Sequence, residues 1–117
     1  MTEAEAKDLI AIERKRQVDG EGYDPAHDDA HRDGEILAAA DCYVANVRMT
    51  CGYRADGVPV GWPWEPGYWK PKDAVRDYVR AGALMVAERE RLERAGRSAD
   101  HIEHKLASVV SSLTEIR

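Results

Sequence analysis

The chain contains no phenylalanine and only two cysteines, Cys42 and Cys51. Two thiols at that separation give neither a disulfide framework nor the spacing of a zinc site. Reduced side chains in a cytoplasmic protein are therefore expected. No apolar run approaches the roughly 18 residues that suggest a membrane span. The polar, acidic start MTEAEAKDLI is unlike a secretory signal. Basic charge is also in short supply: 17 Lys and Arg against 22 Asp and Glu leave a net charge of −5. That balance excludes general DNA or RNA binding but permits a local basic pocket for one phosphate group. A Walker loop, a dinucleotide fingerprint, a nucleophile elbow and an HExxH helix are all missing, which removes most common enzyme classes. There is no internal repeat and no low-complexity tract.

What is present suits a single globular domain spanning 1–117, with 44% hydrophobic and 33% charged residues. Thr2 and Glu5 have the spacing of a capping box, and Ala6, Leu9, Ile10, Glu13 and Gln17 share one face of a first helix. Gly20 and Gly22 are expected to stop it, and Pro25 to delay a restart. A second helix is expected over about 29–49, with Ile36, Leu37, Ala40, Val44 and Val47 as its buried stripe. Periodicity then vanishes. The loop 51–71, CGYRADGVPVGWPWEPGYWKP, holds four of the five prolines, four glycines and all three tryptophans, so turn chemistry dominates, with a short hairpin around Asp56-Gly57 as one option. Pro71 suits the start of a third helix, whose apolar face runs from Val75 through Tyr78, Gly82 and Met85 to Leu92. Ser98 is placed to cap a fourth, with the stripe Ile102, Leu106, Val109, Val110, Leu113 and Ile116. The expected fold is all-α: a small bundle of about four helices with one long Trp/Pro/Gly-rich loop.

The stretch HDDAHRDGE at 27–35 admits two readings. Asp28 or Asp29 caps the second helix, whose acidic first turn suits the macrodipole. Alternatively Asp28, His31 and Glu35 contribute to a hard-cation site, Mg²⁺ being the natural choice where oxygen ligands dominate. Glu13 and Gln17 continue an inward face, and a buried carboxylate there needs a partner such as Arg76 or Arg80. Arg14 in the neighbouring ERKRQ stretch has the planar fork that suits phosphate. Asp77 shares a helical face with Ala81, Leu84 and Glu88 and so could reach the same cleft as the second-helix acids. The later AERERLER reads as a solvated, salt-bridged surface. Trp62, Trp64 and Trp69 offer flat faces for a nucleobase, with Lys70 and Lys72 close by for phosphate. A self-packed plug over the bundle accounts for the same tryptophans equally well.

The segments IERKRQVDGEGYDPAHDDAHRDGEILAAADCYV and WKPKDAVRDYVRAGALMVAERERLER resemble small phage and prophage proteins of the MazG-like, all-α nucleotide pyrophosphohydrolase type. The likeness covers about 8–94. It implies Mg²⁺ held by an ExxE pair on one helix and an ExxD pair on the next. Laid on this chain, Glu35 and Asp77 keep one acid of each pair, whereas their partners fall on Arg32 and Arg80. An arginine cannot coordinate Mg²⁺ and would repel it, yet it can neutralise phosphate. The resemblance with this exchange implies a nucleotide-binding protein that holds its ligand, linear or cyclic, without cutting it, as in sequestering a host-defence signal. Arg14, Gln17, Arg32, Trp62, Trp64, Trp69, Lys70 and Arg80 would form its site. Two alternatives stand beside it. One is an active Mg²⁺-dependent pyrophosphohydrolase using Asp28, His31, Glu35 and Asp77. The other is a helical protein-interaction module. The fourth helix, and the assembly habit of MazG-like bundles, imply a homo-oligomer.

Overall fold

A computed structural model describes residues 1–116, and within them the chain forms five α-helices and no strand. Helix α1 (Glu3–Glu21) opens on the expected capping box: the Glu5 N–H donates to Thr2 Oγ1 and the Thr2 N–H to Glu5 Oε1. Gly20 lies inside this helix. It is Gly22, at φ 73°, that ends it, because the left-handed conformation at a helix C-terminus costs glycine nothing.

The continuous second helix expected over 29–49 is instead two helices. Asp24 caps a short α2 (Pro25–Asp29), accepting from the His27 N–H at 2.8 Å. The cap is thus neither Asp28 nor Asp29. The chain then turns at Gly34, φ 85°, a backbone value that a right-handed helix cannot contain, and α3 (Glu35–Arg48) begins there. Similarly, Pro71 stays outside α4 (Ala74–Arg94), which Asp73 caps by accepting from the Arg76 N–H. The last helix, α5 (Asp100–Glu115), starts after Ala99 without a side-chain cap, and Ser98 accepts only from the Asp100 N–H.

Helix α4 is the axis of the bundle, with α1, α3 and α5 packed around it. Its Val79, Ala81, Ala83, Leu84, Met85 and Ala87 are buried, because small residues let three neighbours approach at once. Gly82 marks the closest approach. A Cβ there would lie 2.7 Å from Ile10 Cδ1 and 2.9 Å from Ile10 Cγ1. Gly82→Ala is therefore expected to destabilise by about 1–2 kcal/mol, overpacking outweighing the helix-propensity gain. Urea unfolding checks this, and adding Ile10→Val should return part of the loss.

AERERLER is not uniformly solvated. Glu88 and Arg91 are buried and face each other, with Arg91 Nε 2.5 Å and Nη2 3.1 Å from the two carboxylate oxygens. Helix α2 packs against α4, and its Asp29 accepts from Arg94 Nη2 at 2.8 Å. No helix among the described residues is long and apolar enough to cross a membrane.

The loop between α3 and α4 is ordered by its own chemistry. A hairpin-like turn forms at Asp56-Gly57: the Arg54 N–H donates to the Val58 carbonyl at 2.8 Å and Tyr53 bridges Pro59. Asp56 accepts from the Val58 N–H and pairs with Arg54. Beyond it, Trp62 is buried and donates its indole N–H to the Glu65 carbonyl. Trp69 stacks on Tyr43 at 4.6 Å and meets Trp62 edge-on at 5.1 Å. These two tryptophans form the plug that holds the loop on the bundle.

Candidate functional site

Where the plug meets the end of α1, a small recess of about 20 Å³ opens. Helix α1 supplies Glu13, Arg16, Gln17 and Glu21, α3 supplies Tyr43, and α4 supplies Arg80 and Leu84. The loop adds Trp62, Trp64, Tyr68 and Lys70, while Tyr23 comes from the turn after α1. Arg80 is only 8% exposed, yet its Nε and Nη1 are buried with no hydrogen-bond partner among the described residues. Gln17, 3% exposed, has an equally unsatisfied Oε1, and the indole N–H of Trp64 also lacks an acceptor. Such groups cost about 1–3 kcal/mol each, more when charged. All three residues line the recess, so a polar group seated there could meet these atoms.

The carboxylates beside the recess are already engaged. Glu13 receives Arg16 Nε and Nη2, each at 2.8 Å, and Arg76 Nη2 at 2.8 Å. Arg76 is thus the partner that Glu13 required, and Arg80 is not. Burial alone would raise the Glu13 carboxyl, but the hydrogen bonds and charges of Arg16 and Arg76 together hold it below its usual 4.5. A depressed folded-state value gives stability that is present above the unfolded pKa and lost as pH falls through the folded one. Thermal melts are thus expected to fall off below about pH 4.5, and Glu13→Gln should flatten that part of the profile. Glu21 takes Arg16 at 3.3 Å and Lys70 at 3.4 Å, closing the rim. Desolvation, with the Glu21 charge adding to it, pushes the Tyr23 hydroxyl well above its usual range, and burial raises Tyr43 as well. Both remain hydrogen-bond donors at neutral pH.

On the other side of Trp64 lies an open cleft of about 610 Å³, the size of a small-ligand site. It shares Glu21, Tyr23, Trp64 and Tyr68 with the recess and adds His27, His31 and Arg54. Its wall is a run of rings: Tyr23 stacks on His27 at 4.7 Å, His27 meets His31 at 4.5 Å, and His31 meets Trp64 at 5.5 Å.

Of the residues singled out in the sequence, Gln17, Trp62, Trp64, Lys70 and Arg80 come together at the recess. Trp69 stands behind it as part of the plug. Arg14 is committed elsewhere, to the Tyr23 carbonyl and Asp28 at 2.8 Å and to Glu90 at 3.4 Å. Arg32 is exposed, donates to the Asp29 carbonyl, and does not join Arg80 at the recess. The four candidate metal ligands are split. Asp28 is buried between Arg14 and His27, and His31 Nδ1 lies 3.5 Å from Glu35 Oε2. Asp77 accepts from the Lys72 N–H at 2.8 Å and from Asn46 at 3.1 Å. Among the described residues no three His, Cys, Asp or Glu side chains converge to hold an ion. This donor set does not fit a Mg²⁺ pair.

Tyr23, Tyr43, Tyr68, Glu21 and Arg54 were not anticipated as site residues. The tryptophans of the loop carried a usable signal for the tyrosines, since irregular segments need aromatic partners to bury their rings. Comparison with protein families, with characterised proteins and with solved structures found no match to this chain.

Proposed function

We propose that this protein binds a nucleotide-class ligand, a heteroaromatic ring bearing phosphate, across the recess and the adjoining cleft, and holds it without hydrolysis. The observation that carries this reading is Arg80: a buried guanidinium whose Nε and Nη1 have no partner among the described residues, beside stacked aromatic rings and a ligand-sized opening. A charge kept in so costly a state is best explained by a ligand that completes it. Aromatic faces of Trp64, Tyr68 and the histidines suit a planar ring. Holding rather than cutting follows from the engaged and scattered carboxylates, since activating water on a triphosphate needs converging oxygen ligands for metal. Sequestration of a nucleotide signal, as the phage-type resemblance implies, is the physiological role consistent with such a site. The test is titration of the purified protein with linear and cyclic nucleotides, followed by calorimetry, alongside pyrophosphate release in Mg²⁺. Saturable binding with no release is expected. Turnover would select the hydrolase instead, and no heat with any nucleotide would remove the nucleotide reading altogether.

A further inference from the structure

The recess has room for about one water-sized group, since its volume is about 20 Å³. Resting on the nucleotide reading, we infer that this group is a ring carbonyl oxygen of the base, with a ring N–H beside it. The ligand would then be a guanine, hypoxanthine or uracil nucleotide, with its phosphates lying outward in the open cleft.

Three observations select the base edge over the phosphate. First, size: a phosphate group brings several oxygens around one phosphorus, whereas a carbonyl brings a single oxygen at the end of a flat ring. Second, hydrogen-bond polarity: the unsatisfied groups are three donors, Arg80 Nε, Arg80 Nη1 and the Trp64 indole N–H, and one acceptor, Gln17 Oε1. A carbonyl with an adjacent N–H answers both kinds. A phosphate dianion offers only acceptors and would set an oxygen against Gln17 Oε1. Third, shape: Tyr23, Trp64 and Tyr68 line both spaces, so a ring can stack among them with one edge inside. Tyr68 is 49% exposed and so presents part of its ring to an incoming base.

The same polarity discriminates among bases. Adenine and cytosine carry an amino group where guanine and uracil carry a carbonyl. An amino group would point N–H bonds at a guanidinium and an indole N–H, leaving donors facing donors. A site that hydrogen-bonds one pattern rejects the other because its buried groups are then unpaired. The orientation of Gln17 is fixed by its neighbours. Its Nε2 is turned toward Glu13 Oε2 and the Arg80 carbonyl, at 3.4 and 3.5 Å, which leaves Oε1 for the ligand.

The experiment is a set of tryptophan-fluorescence titrations with GMP, IMP, UMP, AMP and CMP, the nucleosides guanosine and adenosine, and inorganic phosphate and pyrophosphate as competitors. The carbonyl-bearing nucleotides are expected to bind at least about tenfold tighter than AMP or CMP. Guanosine should retain measurable binding, and millimolar phosphate should not displace GMP. Gln17→Leu should shrink the preference to about threefold or less while nucleotides still bind. Trp64→Phe, which keeps the stacking face and removes the N–H, should narrow it independently if Gln17→Leu fails to fold. Binding without base preference, or displacement of GMP by inorganic phosphate, overturns this assignment and leaves the nucleotide reading standing. Silence with every nucleotide and nucleoside overturns both.

Discussion

Replacing Arg80 with methionine is expected to make the protein more stable and unable to bind its ligand. The unfolded chain hydrates the guanidinium fully, whereas the folded one buries it with Nε and Nη1 lacking a partner among the described residues. Methionine has a comparable length and carries no charge to desolvate, and beside Leu84 and Trp62 it would keep the packing of the arginine stem. Exchanging a buried, poorly compensated charge for an apolar side chain of similar volume is worth about 1–4 kcal/mol. The unliganded melting temperature should therefore rise. Binding should weaken by about 30-fold or more, since loss of a charged hydrogen-bonding group in a desolvated site costs about 2–5 kcal/mol. The opposite signs are what make the experiment decisive, because a residue retained at a cost to stability is retained for function. Differential scanning calorimetry without ligand and titration with it would read the two effects. A melting temperature that falls with binding intact would mean that Arg80 is an ordinary structural arginine.

Glu88→Ala should act in the other direction and with greater force. Glu88 and Arg91 are both buried and joined by two hydrogen bonds, and the Glu88 hydrogen bonds raise the Arg91 guanidinium above its usual range. Removing the carboxylate strands the arginine in a dry environment, for which about 3–5 kcal/mol is the usual loss. In a domain of this length that corresponds to a drop of about 10–20 °C in melting temperature. The double variant Glu88→Leu with Arg91→Met should recover most of it, since neither charge is then left alone. Denaturant melts of the two single variants and the double one separate this pair from simple cavity formation. If Glu88→Ala costs less than 1 kcal/mol, about the limit for an exposed ion pair, the end of α4 is as open to water as its sequence suggests.

Glu88 and Arg91 also mark the boundary of what was legible in the sequence. The apolar stripes of α4 and α5 have a helical period, so the all-α bundle followed from spacing. Glu88 and Arg91 sit in a run of charges, although Glu88 continues the helical face of Ala81 and Leu84. Which members of that charged run are buried is a tertiary outcome that the run itself does not record. Gly34 was visible as a glycine, but its left-handed backbone, which splits the expected second helix, was not. At the site, Gln17 and Arg80 could be named from their faces. That their polar atoms go unpaired could not, because an unmet hydrogen bond is a property of three-dimensional neighbours. Asp77 misled for a related reason. Its position suited a metal ligand by resemblance, whereas in the fold it orders the start of α4 through the Lys72 N–H and Asn46.

The recess draws on segments from Glu13 to Leu84, across three long helices and the loop. None of those segments holds its part alone. The loop is anchored on Tyr43 of α3 through Trp69, and Lys70 ties it to Glu21 at the end of α1. Ligand capture should consequently be the last property gained as the chain folds and the first surrendered on warming, ahead of the α4–α5 pair.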